Sequence, residues 1–82
     1  MMNEMQQTRR LTALIEREGD VYVSLCPELD IASQGETVEQ ARQNLIEALE
    51  LFFEAADPNE VASRLSSEVF VTSVEVAIGK VA

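Results

Sequence analysis

Apolar and polar residues alternate along residues 11–15, with Leu11, Ala13 and Ile15 on one side and Thr12, Leu14 and Glu16 on the other. A period of two is that of a β-strand, whose successive side chains point to opposite faces. Gly19-Asp20 follows as a turn signal, and beyond it Val21, Val23 and Leu25 alternate with Tyr22, Ser24 and Cys26. Two such runs around a short glycine-containing link predict a hairpin. Pro27 cannot donate to a ladder, so the second strand is expected to stop near it or to lie at an edge there. Residues 31–34 suffice for a short third strand, and Gly35 is read as a permissive turn before a helix.

From Thr37 the period changes. Thr37-Val38-Glu39-Gln40 matches a capping box, in which the threonine hydroxyl accepts from the Gln40 amide and the glutamine side chain reaches back. Glu36 and Glu39 sit at the positive end of the helix dipole, where anions are favoured. Val38, Ala41, Leu45, Ala48, Leu49 and Phe52 recur at steps of three and four, widened by Ile46, Phe53 and Ala56, so one stripe faces a core. Gln43, Glu47, Glu50 and Glu54 fall largely away from it. Asp57-Pro58-Asn59-Glu60 ends this helix and predicts a second, short one over residues 61–65, with Asp57 as cap and Pro58 at the first helical position. Ser66-Ser67 breaks it. Residues 69–78 alternate again, with Phe70, Thr72, Val74, Val76 and Ile78 on one side, and predict a last strand.

The predicted order is therefore β-β-β-α-(short α)-β. It describes an α+β domain with a three-stranded antiparallel sheet plus a C-terminal strand, and one main helix packed on one face. Residues 1–8 read as a polar tail and residues 9–82 as a single domain. The sheet face without the helix is expected to carry Leu14, Tyr22, Cys26, Val69 and Val71. That is apolar enough to suggest a surface for self-association or a partner, with Leu14, Tyr22, Val69 and Val71 as its contacts.

At 82 residues the chain supports one small domain with a thin core. Charge narrows the functional classes. Six basic residues against fifteen acidic ones leave −9, and residues 28–60 hold nine acidic side chains against Arg42 alone, −8 of that total. Nucleic-acid affinity comes largely from Lys and Arg neutralising phosphates, so direct nucleic-acid binding is not expected. A surface of this kind either simply keeps the protein solvated or steers in a basic partner. No run of about 18 apolar residues marks a membrane span. The polar start, Met1-Met2-Asn3-Glu4-Met5-Gln6-Gln7, has no signal-peptide core, so a cytoplasmic protein is expected.

Candidate chemistry is sparse. Cys26 is the single cysteine and there is no histidine, which rules out a disulfide within the chain or a cysteine-based zinc site. Activating Cys26 as a nucleophile would need a neighbouring cation or a helix N-terminus, and it reads as a small strand residue. Glu16, Glu18 and Asp20 near the first turn, with Glu28 and Asp30, are the carboxylates a metal-dependent nuclease could use. They lie at a hairpin end and beyond Pro27, so no catalytic residue, metal or cofactor is assigned. Glu28, Asp30, Glu36 and Glu39 are instead the candidates for partner binding.

A glycine-bearing hairpin followed by "YVSLCPELDIASQGETVEQARQNLIEALELFFE" resembles the HicB-like antitoxins. Their hallmark is a strand ending in Pro-(Asp/Glu)-Leu and, a few residues on, Gly-(Asp/Glu)-Thr opening a helix rich in Glu, Ala and Leu. Pro27, Glu28, Leu29, Gly35, Glu36, Thr37 and Ala41 stand at those positions, and the resemblance covers residues 11–54. Asp30-Ile31 replaces the Pro-Gly common after the first motif. Full-length members often append a DNA-binding module, and the resemblance here is to the N-terminal domain standing alone. It implies a fold like a reduced ribonuclease H core and a partner: a small basic HicA-like toxin, an mRNA-cleaving endoribonuclease of a type II toxin-antitoxin system. An orphan relative serving as an oligomeric scaffold or regulatory module, and a metal-dependent nuclease, are the alternatives.

Overall fold

A computed structural model describes residues 8–80. The elements are β1 (Leu14–Glu18), β2 (Val21–Cys26), β3 (Ile31–Gly35), α1 (Val38–Ala55) and α2 (Pro58–Leu65). The strands form one antiparallel sheet in the order β1-β2-β3, and α1 packs across it, chiefly over β3 and β2. The chain is thus an α+β fold. The polar tail expected over residues 1–8 lies almost wholly outside the described residues.

The hairpin link is two residues long, because Glu18 pairs directly with Val21 across Gly19 and Asp20. Gly19 supplies the left-handed backbone (φ 61°) that such a tight turn needs. This loop length sets the parity of the whole ladder, and it corrects the expected faces. Leu14, Glu16 and Glu18 stand opposite Leu25, Val23 and Val21, while Ile15 and Arg17 stand opposite Ser24 and Tyr22. Directly opposed residues share a face of the sheet. Ser24 donates its hydroxyl to the Ala41 carbonyl of α1 (2.8 Å), and Cys26 packs with Leu45 of α1. The helix therefore covers the Tyr22-Ser24-Cys26 face. Tyr22 and Cys26 were placed on the open face by pattern alone; the open face carries Leu14, as expected, with Val21, Val23 and Leu25.

The physical reason is the closeness of the helix to the sheet. Gly35 has no positive φ, so its role is not to relax a turn. A Cβ at Gly35 would lie 2.5 Å from the Ala41 nitrogen and 2.7 Å from the Gln40 carbonyl carbon, both backbone atoms that cannot swing aside. The first turn of α1 thus rests on bare backbone at Gly35, and Ser24 and Ser33 on the same face keep the sheet low beneath Ala41, with Tyr22 and Ile31 beside them.

Two caps hold the helices. Thr37 accepts from the Gln40 amide (3.0 Å), as the capping box requires, while the Gln40 side chain reaches one residue further back to the Glu36 amide (2.6 Å). Asp57 caps α2 through the Asn59 amide (2.7 Å), and Glu60 turns instead to Arg64 (3.2 Å). The core is as thin as the chain length implies: Cys26, Leu29, Ala41 and Leu45 are fully buried, backed by Leu11, Ile31, Leu49, Phe52 and Leu65.

Residues 69–78 form no strand within this single chain. Val69 is half-buried, and from Phe70 to Lys80 every residue is exposed. A strand needs a neighbour to satisfy its backbone, and no described strand pairs with this segment. Val69 and Val71 accordingly lie on an arm and not on the open sheet face.

Gly35→Ala tests the close approach. It should cost about 1–3 kcal/mol of stability, the usual range for overpacking against rigid surroundings. A lowered midpoint in urea unfolding is the expected readout, and an unchanged midpoint would mean that α1 does not press on the sheet at this point.

Candidate functional site

The stretch from Pro27 to the first turns of α1 holds all four sequence-predicted partner residues, and the structure divides them. After Cys26 the chain turns sharply, with the Leu29 and Asp30 amides both donating to the Cys26 carbonyl (3.3 and 2.8 Å). The turn drives Leu29 into the core and leaves Asp30 exposed with a left-handed backbone (φ 56°), a conformation Asp tolerates better than most residues. Arg64 of α2 reaches 35 residues back to donate to the Leu29 carbonyl (2.6 Å) while lying over the Phe52 ring (5.2 Å from its centroid). No feature of the sequence pattern pointed to Arg64, yet it ties the turn, α1 and α2 together.

Glu28 points inward. Its carboxylate accepts from the Thr12 amide (3.1 and 3.2 Å) and the Thr12 hydroxyl (2.7 Å), and from the Cys26 thiol (3.4 Å). Where Pro27 stops the ladder, this carboxylate holds the chain segment that leads into β1. Partial burial acts to raise its pKa, but the hydrogen bonds from Thr12 outweigh burial and hold it below the ordinary carboxylate value. Burial pushes the Cys26 thiol up, helped by the hydrogen bond to and negative charge of Glu28, so Cys26 is a core residue held in its protonated form. Of the four predicted partner residues, then, Asp30, Glu36 and Glu39 are exposed and Glu28 is occupied as an internal clamp.

The exposed acidic surface extends further than those residues. Glu36, Glu39, Glu47, Glu50 and Glu54 are all exposed along α1, followed by Asp57 and Glu60. Their only described ion pairs are Arg42 with Glu39 (3.6 Å, exposed) and Arg64 with Glu60, which exposed geometry makes weak. The helix thus presents a long negative stripe on an accessible side.

On the other flank of α1 the sheet is under-covered. The helix makes few contacts with β1, and a groove of about 1340 Å³ opens between residues 8–13 and the two helices. Leu45, Ile46, Leu49, Phe53, Val61 and Leu65 form its apolar floor and wall; Arg9, Arg10 and Arg42 stand at its mouth with Glu50 and Glu54.

The carboxylates that a nuclease would need do not assemble. Glu16 and Glu18 share the open face with Val23 and Val21, Glu28 is committed to Thr12, and Asp30 is on an exposed turn. Among the described residues no three of Cys, Asp and Glu converge to hold a metal ion, and no helix is long and apolar enough to cross a membrane.

Glu28 gives a pH test with a definite sign. Its pKa is lower in the folded chain than in the unfolded one, so its contribution is present above the unfolded carboxylate pKa and disappears as pH falls through the folded value. Glu28→Ala should cost about 1.5–3 kcal/mol at neutral pH, the range for hydrogen bonds to a charged group. The gap between variant and parent in urea unfolding should shrink as the solution is acidified below the carboxylate range, and a gap independent of pH would contradict the clamp.

Comparison with known protein families, with curated proteins and with solved structures finds no match to this chain.

Proposed function

We propose that this chain acts as a HicB-like antitoxin domain, binding and neutralising a small basic HicA-like toxin that cleaves mRNA. The observation that carries this reading is the acidic stripe of α1. Four exposed glutamates line the helix, with Glu36 just before its cap, and the described ion pairs engage only Glu39, through Arg42, and Glu60, through Arg64. A toxin that grips RNA must present positive potential where the phosphates bind. An anionic partner of fixed shape competes for that same surface, accelerates encounter by attraction and blocks access once docked.

The residues behind the resemblance support the same reading. Pro27 ends a strand, Leu29 anchors the turn in the core, Gly35 seats the helix and Thr37 caps it. Each has a structural task, so the motif builds a platform and leaves the neighbouring carboxylates free to meet a partner. The role is occlusion, without bond making or breaking by this chain. Asp30, Glu36 and Glu39 contribute at one end of the surface, with Glu47, Glu50 and Glu54 continuing it.

The test is co-expression with a small basic open reading frame encoded next to this gene. The two products should co-purify at low salt and separate as salt is raised, and growth arrested by the partner should be rescued. Replacing Glu47 and Glu54 together by Lys shifts the net charge of an exposed face by four units, removing two negative charges and adding two positive ones. Association should slow about tenfold or more, within the known range of electrostatic steering, while the far-UV circular dichroism of the variant stays unchanged. Rescue and association rates indifferent to this double reversal would overturn the reading.

A further inference from the structure

Residues 69–78 carry a regular alternation of β-branched and apolar side chains, yet they pair with no strand among the described residues. Phe70, Val74, Val76 and Ile78, all on one side of the alternation, are 72–83% exposed. Five such positions in a row (the fifth is Thr72) on one side of an extended segment are the signature of a strand that buries one face. Meanwhile the sheet order β1-β2-β3 leaves the outer edge of β1 unpaired among the described residues, and the segment leading into β1, residues 8–13, borders the apolar groove over Leu45, Leu49 and Phe53. A strand lying along β1 would satisfy the open edge and place alternate side chains in the groove. The molecule thus has a strand without a sheet and a sheet edge without a strand.

We propose that residues 69–78 of one chain add as a fourth strand along the outer edge of β1 in a second copy, with Phe70, Val74, Val76 and Ile78 closing that copy's groove. Three observations select a second copy as the occupant. The first is the path of the chain. Leu65 at the end of α2 lines the groove, Val69 and Phe70 lie beside Arg9, Arg10, Leu11 and Glu28, and no described residue beyond Leu65 enters the chain's own groove, the arm from Phe70 to Lys80 being exposed. The second is length. Ten extended residues reach about 33 Å, enough to run the length of β1 and the segment before it. The third is charge. At −9 the chain repels copies of itself over most of its surface. The arm from residue 69 to 80 is neutral, with Glu75 against Lys80, and the groove sets Arg9, Arg10 and Arg42, three of the six basic residues, against Glu50 and Glu54. Arm and groove are therefore the surfaces on which two copies meet with the least repulsion. The groove also exceeds the roughly 300–1,000 Å³ of small-molecule sites and suits a chain segment better than a metabolite.

The exchange is reciprocal. Each chain offers one arm and one β1 edge, so two copies close a symmetric dimer and leave no arm free to propagate. Addition of an extended segment to an exposed edge is a recurrent mode of recognition, with backbone hydrogen bonds giving affinity and alternate side chains giving specificity. The groove takes in Glu50 and Glu54 of the acidic stripe but not Glu36, Glu39 or Glu47, and the inference rests on the arm and the open edge, so it does not depend on the toxin reading.

Light scattering on the full chain should give twice the 9.1 kDa chain mass at micromolar concentration. Val74→Pro with Val76→Pro removes two backbone donors from an arm that is exposed in the single chain, so the variant should keep its circular dichroism and become monomeric. Cross-linking then identifies the contact. A tagged Ala13→Cys chain mixed with an untagged Val74→Cys chain, treated with a bifunctional maleimide, should yield the mixed product in excess of either homodimer. The parent chain, whose Cys26 is buried, is the blank. A monomeric parent, a dimer that survives the double proline, or no excess of the mixed product would overturn the proposal. So would a monomeric Ala13→Cys, Val74→Cys double variant that cross-links within one chain, since the arm would then close its own groove.

Discussion

The contact on which the rest of this fold depends is the seating of the first turn of α1 on bare backbone at Gly35. The helix lies so close there that no Cβ can intervene, and this selects the sheet face beneath it by size before hydrophobicity is consulted. Ser24 can be buried because it finds the Ala41 carbonyl, and Cys26 fits as a small apolar residue against Leu29 and Leu45. Val21, Val23 and Leu25 lie on the other side, half-buried, while Tyr22 and Ile31 share the covered face with the small residues. Such a core is small, and long-range ties reinforce it. Arg64 holds the β2–β3 turn to α2, and Glu28 holds the segment before β1 to the end of β2.

That arrangement also sorts the surface into regions of different character. One flank of α1 is an acidic stripe, suited to a basic macromolecule. The other flank is an apolar groove with arginines at its mouth, next to an unpaired strand edge. The two lie on the same helix, so one rigid element presents both a charged surface and an apolar one. An oligomer assembled through the groove would display more than one acidic stripe, and such repetition strengthens binding to a multivalent target without any new contact.

Much of this was legible in the sequence because the signals were local. The hairpin, the capping box at Thr37, the proline at the start of α2 and the helical stripe all depend on residues within a few positions of one another, and all appear. The choice of sheet face was not legible from alternation, which gives two faces and does not say which is covered. Loop length would have fixed how the strands pair: a two-residue link at Gly19-Asp20 forces Glu18 opposite Val21 and so puts Leu14, Val21, Val23 and Leu25 together. Size would have fixed the rest, since Gly35, Ser33 and Ser24 form a small-residue face beneath a helix that begins two residues after β3 ends. The clamp roles of Glu28 and Arg64 span 16 and 35 residues, and no local pattern encodes them. The C-terminal strand was legible as a pattern but not as an element, because a strand exists only by pairing.

The face beneath α1 is the point on which fold, core and exposed surfaces all turn, and methyl-resolved nuclear Overhauser spectroscopy reads it directly. Seating of the helix on the small-residue face predicts cross-peaks from the Ala41 methyl to the Ser24 and Gly35 protons and from the Leu45 methyls to Cys26, with none from α1 to the methyls of Val23 or Leu25. Cross-peaks from Leu45 to Val23 or Leu25 would place the helix on the opposite face and contradict the account.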